Sequence, residues 1–219
     1  MGYPTSCSIC IDEKVKPDLS ELELSVKPFK SGENPTIMLV GLNPTLVNKK
    51  AHTVFELDDS KSHIYRFIVS DVLRSVGIDL NKHIYATNLI KCIFPKEPRI
   101  ICKQKYGKQD NETVKSFLQP YFMNCRKYFT EEIRDIGPKI LISFGEVPHQ
   151  LLWEEFGWSD NNIDRNMKEA FGKSYRVKIL GQDIIYMTCI RPKARGRKEF
   201  TDKWPTFIKE LKDLAGTIH

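Results

Sequence analysis

The stretch TIMLVGLNPT (residues 36–45) opens with an apolar run and ends on an amide, Asn43, followed by Pro44. Apolar from Ile37 to Val40 and then closed by Gly41, it reads as a buried strand that stops abruptly. A polar amide at the mouth of a buried strand is either the first residue of an Asn-Pro turn or a group held there for chemistry. Three more runs of the same kind follow: HIYATNLI (83–90), KILISFG (139–145) and DIIYMTCI (183–190). Between and after them, residues 63–76, 111–135, 146–156 and 202–214 place apolar side chains at helical spacing, the second of these interrupted by Pro120. Strands alternating with helices predict an α/β fold, a three-layer α/β/α sandwich around a central, mainly parallel four-stranded sheet. No linker, repeat or low-complexity segment divides the chain, so a single domain over 1–219 is expected. Residues 95–111 (PKEPRIICKQKYGKQDN) read as a polar surface insertion, which costs little stability.

Composition narrows the classes. The chain is 41% hydrophobic and 11% aromatic, which suits a substantial core. No run is long and apolar enough to span a bilayer, and MGYPTSCSICIDEK lacks the layout of a signal peptide. MGYPTS matches the bare N-myristoylation pattern, which is weak evidence alone. A cytoplasmic protein, monomeric and without a membrane partner, is expected. The net charge is +6, from 34 Lys and Arg against 28 Asp and Glu. Its distribution says more: RPKARGRK (191–198) carries five cations in eight residues with no acid, either a solvated basic loop or a polyanion contact. Of six cysteines, Cys7 and Cys10 form a C-x2-C pair, a metal or cluster half-site that needs two more thiolates.

In an open parallel sheet, ligands bind beyond the carboxyl ends of the strands. Here those ends are GLNPT, TNLIKC, FGEVP and RPKARGR, two amide-bearing segments and a basic loop among them. In this order they resemble the uracil-DNA glycosylase superfamily, over most of the chain. GLNPT is similar to the first motif in its G-x-N-P form. TNLIKCIFP resembles the N-x-x-K-C-x-P-P segment of the iron–sulfur members. CRKYFTEEIRDIGPKILISFG looks like the helix and strand that begin at those members' last cluster cysteine. TCIRPKARGR stands where the second motif, usually H-P-S, belongs.

The resemblance implies a [4Fe–4S] cluster on Cys7, Cys10, Cys92 and Cys125, with Cys102 the rival for the fourth place and structural zinc the minor alternative. Cys189, in an apolar strand, reads as a buried hydrophobe. It also implies a DNA partner and a hydrolase that flips a base out of the stack. Gly41 and Leu42 would border the base, Phe55 would stack on it or be a core residue, and Asn88 would read its edge or bond to backbone. Asn43 would position the water. An amide cannot deprotonate water, so the path would be dissociative and rest on stabilising the departing base.

Arg191 replaces the family's usual His. It would stabilise an anionic leaving base or contact phosphate. Lys193, Arg195, Arg197 and Lys198 would contact phosphates. No lysine is placed as a Schiff-base nucleophile, so a monofunctional glycosylase is expected, with uracil the default base. The Arg191 departure keeps open a bulkier modified pyrimidine of foreign or viral DNA, which would imply phage defence in place of repair. It also keeps open a non-catalytic DNA-binding module. A radical iron–sulfur enzyme is disfavoured by the scattered cysteines.

Overall fold

The computed structural model describes residues 26–44, 52–91, 93, 94 and 96–217. The four expected strands are present: β2 (Ile37–Gly41), β3 (Ile84–Asn88), β4 (Ile140–Phe144) and β6 (Gln182–Cys189). Every residue of β2, β3 and β4 is buried, as continuous apolar runs demand when a parallel sheet is covered on both faces. The sheet has six strands, however. Two antiparallel edges, β1 (Phe29–Lys30) and β5 (Ser174–Ile179), flank the parallel centre in the order β1-β3-β2-β4-β6-β5. β5 joins β6 through Leu180 (φ 52°) and Gly181 (φ 80°), two consecutive left-handed residues of the kind a tight hairpin requires. These edges end the sheet on short or charged strands.

The helices are α1 (His63–Tyr65), which continues as a π-helix (Arg66–Leu73) and a 3-10 turn (Arg74–Val76), α2 (Leu80–His83), α3 (Pro98–Tyr106), α4 (Asn111–Ile136), α5 (Glu146–Glu155), α6 (Met167–Ala170), α7 (Lys198–Thr201) and α8 (Trp204–Ala215). Period-2 alternation sorts the strand side chains between two cores. Met38, Val40, Tyr85 and Leu141 face α4 and α5, with Leu118, Phe122, Phe129 and Leu151. Ile37, Leu39, Ala86 and Ile142 face the π-helix and α8, with Val72, Leu73, Phe207 and Leu211. Each such buried aliphatic or aromatic side chain contributes about 1.5–3 kcal/mol. The sandwich is therefore two apolar layers clasping one sheet.

Two local expectations change. α4 passes through Pro120 without a break, because Phe117, Leu118, Tyr121 and Phe122 are all buried around it and their packing outweighs one lost backbone bond. Residues 95–111, expected as a polar excursion, hold α3, which buries Pro98 and Cys102 against α4. Among the described residues, no helix is long and apolar enough to cross a membrane.

Candidate active site

The carboxyl ends of β3, β2, β4 and β6 lie side by side in that order, and the site is built along this row. Gly41 is paired in register with Asn88. Because Ile84 and Ala86 face the π-helix layer, Asn88 projects on that same face, as Gly41 does after Ile37 and Leu39. The missing side chain of Gly41 is what admits its neighbours. A Cβ there would collide with Asn88 Oδ1 and lie 3.2 Å from Phe55 Cζ. So three residues singled out in the sequence, Gly41, Phe55 and Asn88, meet at one point. Leu42 continues the strand pairing, accepting from Ile90 N at 2.9 Å, and its side chain is buried in the core.

Asn88 is only 5% exposed, yet its side-chain amide makes no hydrogen bond among the described residues. Neither amide atom is among the fully enclosed polar atoms without a partner, so the amide reaches the surface beyond the strand ends, where a ligand or water can meet it. Its backbone is fixed from the opposite face of the strand. Lys91 Nζ donates to Asn88 O, to Thr87 Oγ1 and to Glu132 Oε2, each at 2.7 Å. Thr87 Oγ1 also approaches Glu132 Oε1 and Oε2 at 3.1 and 3.0 Å. Burial lowers the Lys91 pKa and the Glu132 charge opposes that.

Phe55 is half-buried and sits edge-on to Phe144, with ring centroids 5.0 Å apart. Its backbone is left-handed (φ 59°), as is that of Glu56 (φ 54°). Such conformations cost about 1–3 kcal/mol each in non-glycine residues and gather where a side chain must be aimed. The strained turn is braced by Asp58, whose carboxylate accepts from His52 N at 2.8 Å, Thr53 Oγ1 at 2.7 Å and Thr53 N at 3.3 Å. Burial raises the Asp58 pKa, but these bonds outweigh it and the net shift is downward. Asp58 is thus a scaffold residue of the turn.

Asn43 is half-buried just past β2. Its Nδ2 donates to Pro44 O at 2.9 Å, the local bond expected of a turn amide. Oδ1, with no partner among the described residues, is the end able to accept from a water.

Arg191 follows β6 and drapes over Gly145, where a Cβ would lie 3.1 Å from its Nε and 3.3 Å from its Cγ. Gly145 has φ 104° and sits at the end of β4, so a side chain there would meet both backbone strain and the arginine. Arg191 is exposed by area, yet surrounding protein crowds it enough to disfavour its charge. That crowding, then the charge of Arg99, lowers its pKa, while Glu97 raises it. A guanidinium stays cationic throughout, and this one joins no hydrogen bond or ion pair among the described residues.

The basic loop divides. Arg195 pairs with Asp71 and lies over the Trp204 ring, 4.8 Å from its centroid, so it pins the loop to the helical layer. Lys193 is 3.8 Å from Glu97. Arg197 and Lys198 are exposed and face no acid among the described residues.

Cys7, Cys10 and Cys92 lie outside the described residues. Cys125 is buried on α4, and Lys91 N donates to its Sγ at 3.3 Å, which puts that sulfur next to the backbone that leads into Cys92. An N–H aimed at a thiolate suits a cluster sulfur. Cys102 instead donates to Thr113 O at 3.9 Å and is influenced, after burial, by Asp110, Arg99 and Lys105. Cys189 is fully buried and burial raises its thiol pKa, as expected of a core residue.

Phe144, Gly145 and the Lys91–Glu132 pair escaped the sequence reading. FGEVP marked only a strand end, and nothing in sequence shows that Phe144 supports Phe55 or that Glu132 lies 41 residues along yet under Asn88. No curated protein matches the chain. The family model described as the uracil DNA glycosylase superfamily matches residues 29–215, a span that takes in every strand and all four strand ends of the site. The chain therefore belongs to the uracil DNA glycosylase superfamily, whose members are glycosylases acting on DNA.

Proposed function

We propose that the protein is a monofunctional DNA glycosylase that hydrolyses the N-glycosidic bond of a flipped-out base, uracil by default. The observation that carries this reading is Asn88, a nearly buried amide without a partner among the described residues, set against a glycine floor and an aromatic edge. One amide offers a donor and an acceptor side by side, complementary to the adjacent N–H and C=O of a uracil-like ring. Phe55 supplies a stacking face, and the absent side chain of Gly41 lets Asn88 and Phe55 approach each other. Extrusion of the base costs a few kcal/mol, which stacking and edge bonds offset.

The C1′–N bond breaks with its electron pair going to the base, which leaves an oxocarbenium-like sugar. Arg191, lying over Gly145, stabilises the negative charge on the departing ring. A water that donates a hydrogen bond to Asn43 Oδ1 bonds to C1′ and then passes its proton to bulk water, from which the released base anion takes one up, since a neutral amide cannot accept it. Lys91 is committed to Glu132 on the far face of β3, which supports hydrolysis without a Schiff-base step.

A [4Fe–4S] cluster on Cys7, Cys10, Cys92 and Cys125 would supply a structural staple for the N-terminal segment. Cys125, with the Lys91 N–H at its sulfur, supports that ligand choice over Cys102. Replacement of the usual His by Arg191 favours one second reading, excision of a bulkier modified pyrimidine. Asn43→Ala tests the assignment. It is expected to abolish abasic-site formation while DNA affinity stays within about twofold of wild type. Equal loss of both would contradict it.

A further inference from the structure

α3 lies at the rim of the site. Glu97, the residue that precedes it, lies 3.8 Å from Lys193, and Glu97 and Arg99 both act electrostatically on Arg191. The helix buries Pro98 and Cys102 and turns Lys103, Lys105 and, just beyond it, Lys108 to solvent. None of these three lysines forms an ion pair with an acid among the described residues. The two acids of the segment are engaged elsewhere: Glu97 with Lys193, and Asp110 as the cap of α4, accepting from Thr113 N at 2.9 Å and Thr113 Oγ1 at 2.8 Å. Arg99 ties the two ends of the segment together, donating to Gln109 O at 2.6 Å and to Asn111. The platform is therefore held in shape before any partner arrives, and its cations outnumber its acids, Lys108 lying within electrostatic reach of Asp110.

We propose that α3 and the turn after it form a second phosphate-contacting surface, continuous with the loop at Arg191, that grips the DNA backbone flanking the flipped nucleotide. The proposal rests on the glycosylase reading for its partner. The commitment to nucleic-acid phosphate follows from charge and from continuity. Lys103, Lys105 and Lys108 are exposed on a helix and turn whose start meets the basic loop where Lys193 approaches Glu97, and this mainly positive surface, with exposed Ile100 and Tyr106 among its charges, suits a polyanion. The surface pair between Lys193 and Glu97 is worth little in water and yields readily to a phosphate. Phosphate contacts here set orientation and reach and carry no base preference.

The test is the salt dependence of DNA binding. The full-length protein and its K103Q/K105Q/K108Q variant are titrated by fluorescence anisotropy with a duplex carrying a non-hydrolysable abasic analogue. K178Q/K209Q/K212Q, with the same charge change on β5 and α8, serves as the control. Each lost phosphate contact lowers the slope of log K against log salt by about 0.9, so three lower it by about 2.7. From 50 to 200 mM salt the wild type should then lose about 40-fold more affinity than the α3 variant. The control should keep the wild-type slope.

A slope unchanged in the α3 variant, or lowered as much in the control, overturns the proposal. The two readings fail separately. A lowered slope in a protein that excises no base would leave this surface standing and sink the glycosylase. Normal excision with an unchanged slope would do the reverse.

Discussion

Gly41→Ala probes the point where the site comes together. In β2 the substitution costs nothing intrinsically, since alanine removes backbone entropy from the unfolded chain. What it adds is one methyl group against Asn88 Oδ1, with Phe55 Cζ and Cε1 at 3.2 and 3.3 Å. Asn88 is held at its carbonyl by Lys91 and in register by β2, so its amide must swing away by about 1 Å to restore van der Waals contact. A displacement of that size in a positioning group lowers rate by about 100-fold, equivalent to about 2.7 kcal/mol of transition-state stabilisation. The loss should appear in single-turnover excision at saturating DNA. The melting temperature should stay within a few degrees of wild type, because the strain falls on side chains at the rim of the sheet. A variant that excises at the wild-type rate would refute the claim that Asn88 and Phe55 border the base. A large loss of stability would show instead that Gly41 serves packing.

Three further outcomes are expected. Lys91→Met strands the nearly buried Glu132 carboxylate and should cost about 3–5 kcal/mol by urea denaturation, whereas Lys91→Met with Glu132→Met should recover most of it. Cys125→Ser should lose the broad visible absorbance of an iron–sulfur cluster and Cys102→Ser should keep it; the opposite pattern would move the fourth ligand to α3. His149 is buried, with Nε2 at 2.8 Å from Asp164 O and Nδ1 at 2.7 Å from Tyr186 Oη, so the proton sits on Nε2 and Tyr186 donates to Nδ1. Burial holds its pKa below the ordinary histidine value of 6.5. The unfolded chain therefore binds a proton first as pH falls below 6.5, and stability declines from there toward the lower folded pKa. Melting temperatures between pH 7.5 and 5.5 should show that slope in wild type and not in His149→Gln.

Much of this was legible in the sequence because parallel strands covered on both faces write themselves as uninterrupted apolar runs. TIMLVG, KILISF and their fellows became the four central strands, and the residues after them line the candidate site. The edges were not legible: Phe29–Lys30 is too short to carry a period, and the alternation in Ser174–Ile179 turns through Leu-Gly in place of a familiar turn pair. Gly41, Phe55 and Asn88 were each visible, but their meeting depends on register and on a left-handed backbone at Phe55. Arg195 reads in sequence like its basic neighbours. Only the fold, by bringing Asp71 and Trp204 to it, separates the residue that anchors the loop from its exposed basic neighbours Arg197 and Lys198.

The most direct test of the central claim is base release itself. Labelled single- and double-stranded oligonucleotides would carry uracil, hypoxanthine, a thymine mismatch, and hydroxymethylated or glucosylated cytosine. They are incubated with the protein and then cleaved with alkali. The account predicts alkali-labile product from one of these bases, uracil first, lost in Asn43→Ala and reduced about 100-fold in Gly41→Ala. No product from any base, by a protein that binds the same DNA with steep salt dependence, would contradict it and leave a DNA-binding module on a glycosylase fold.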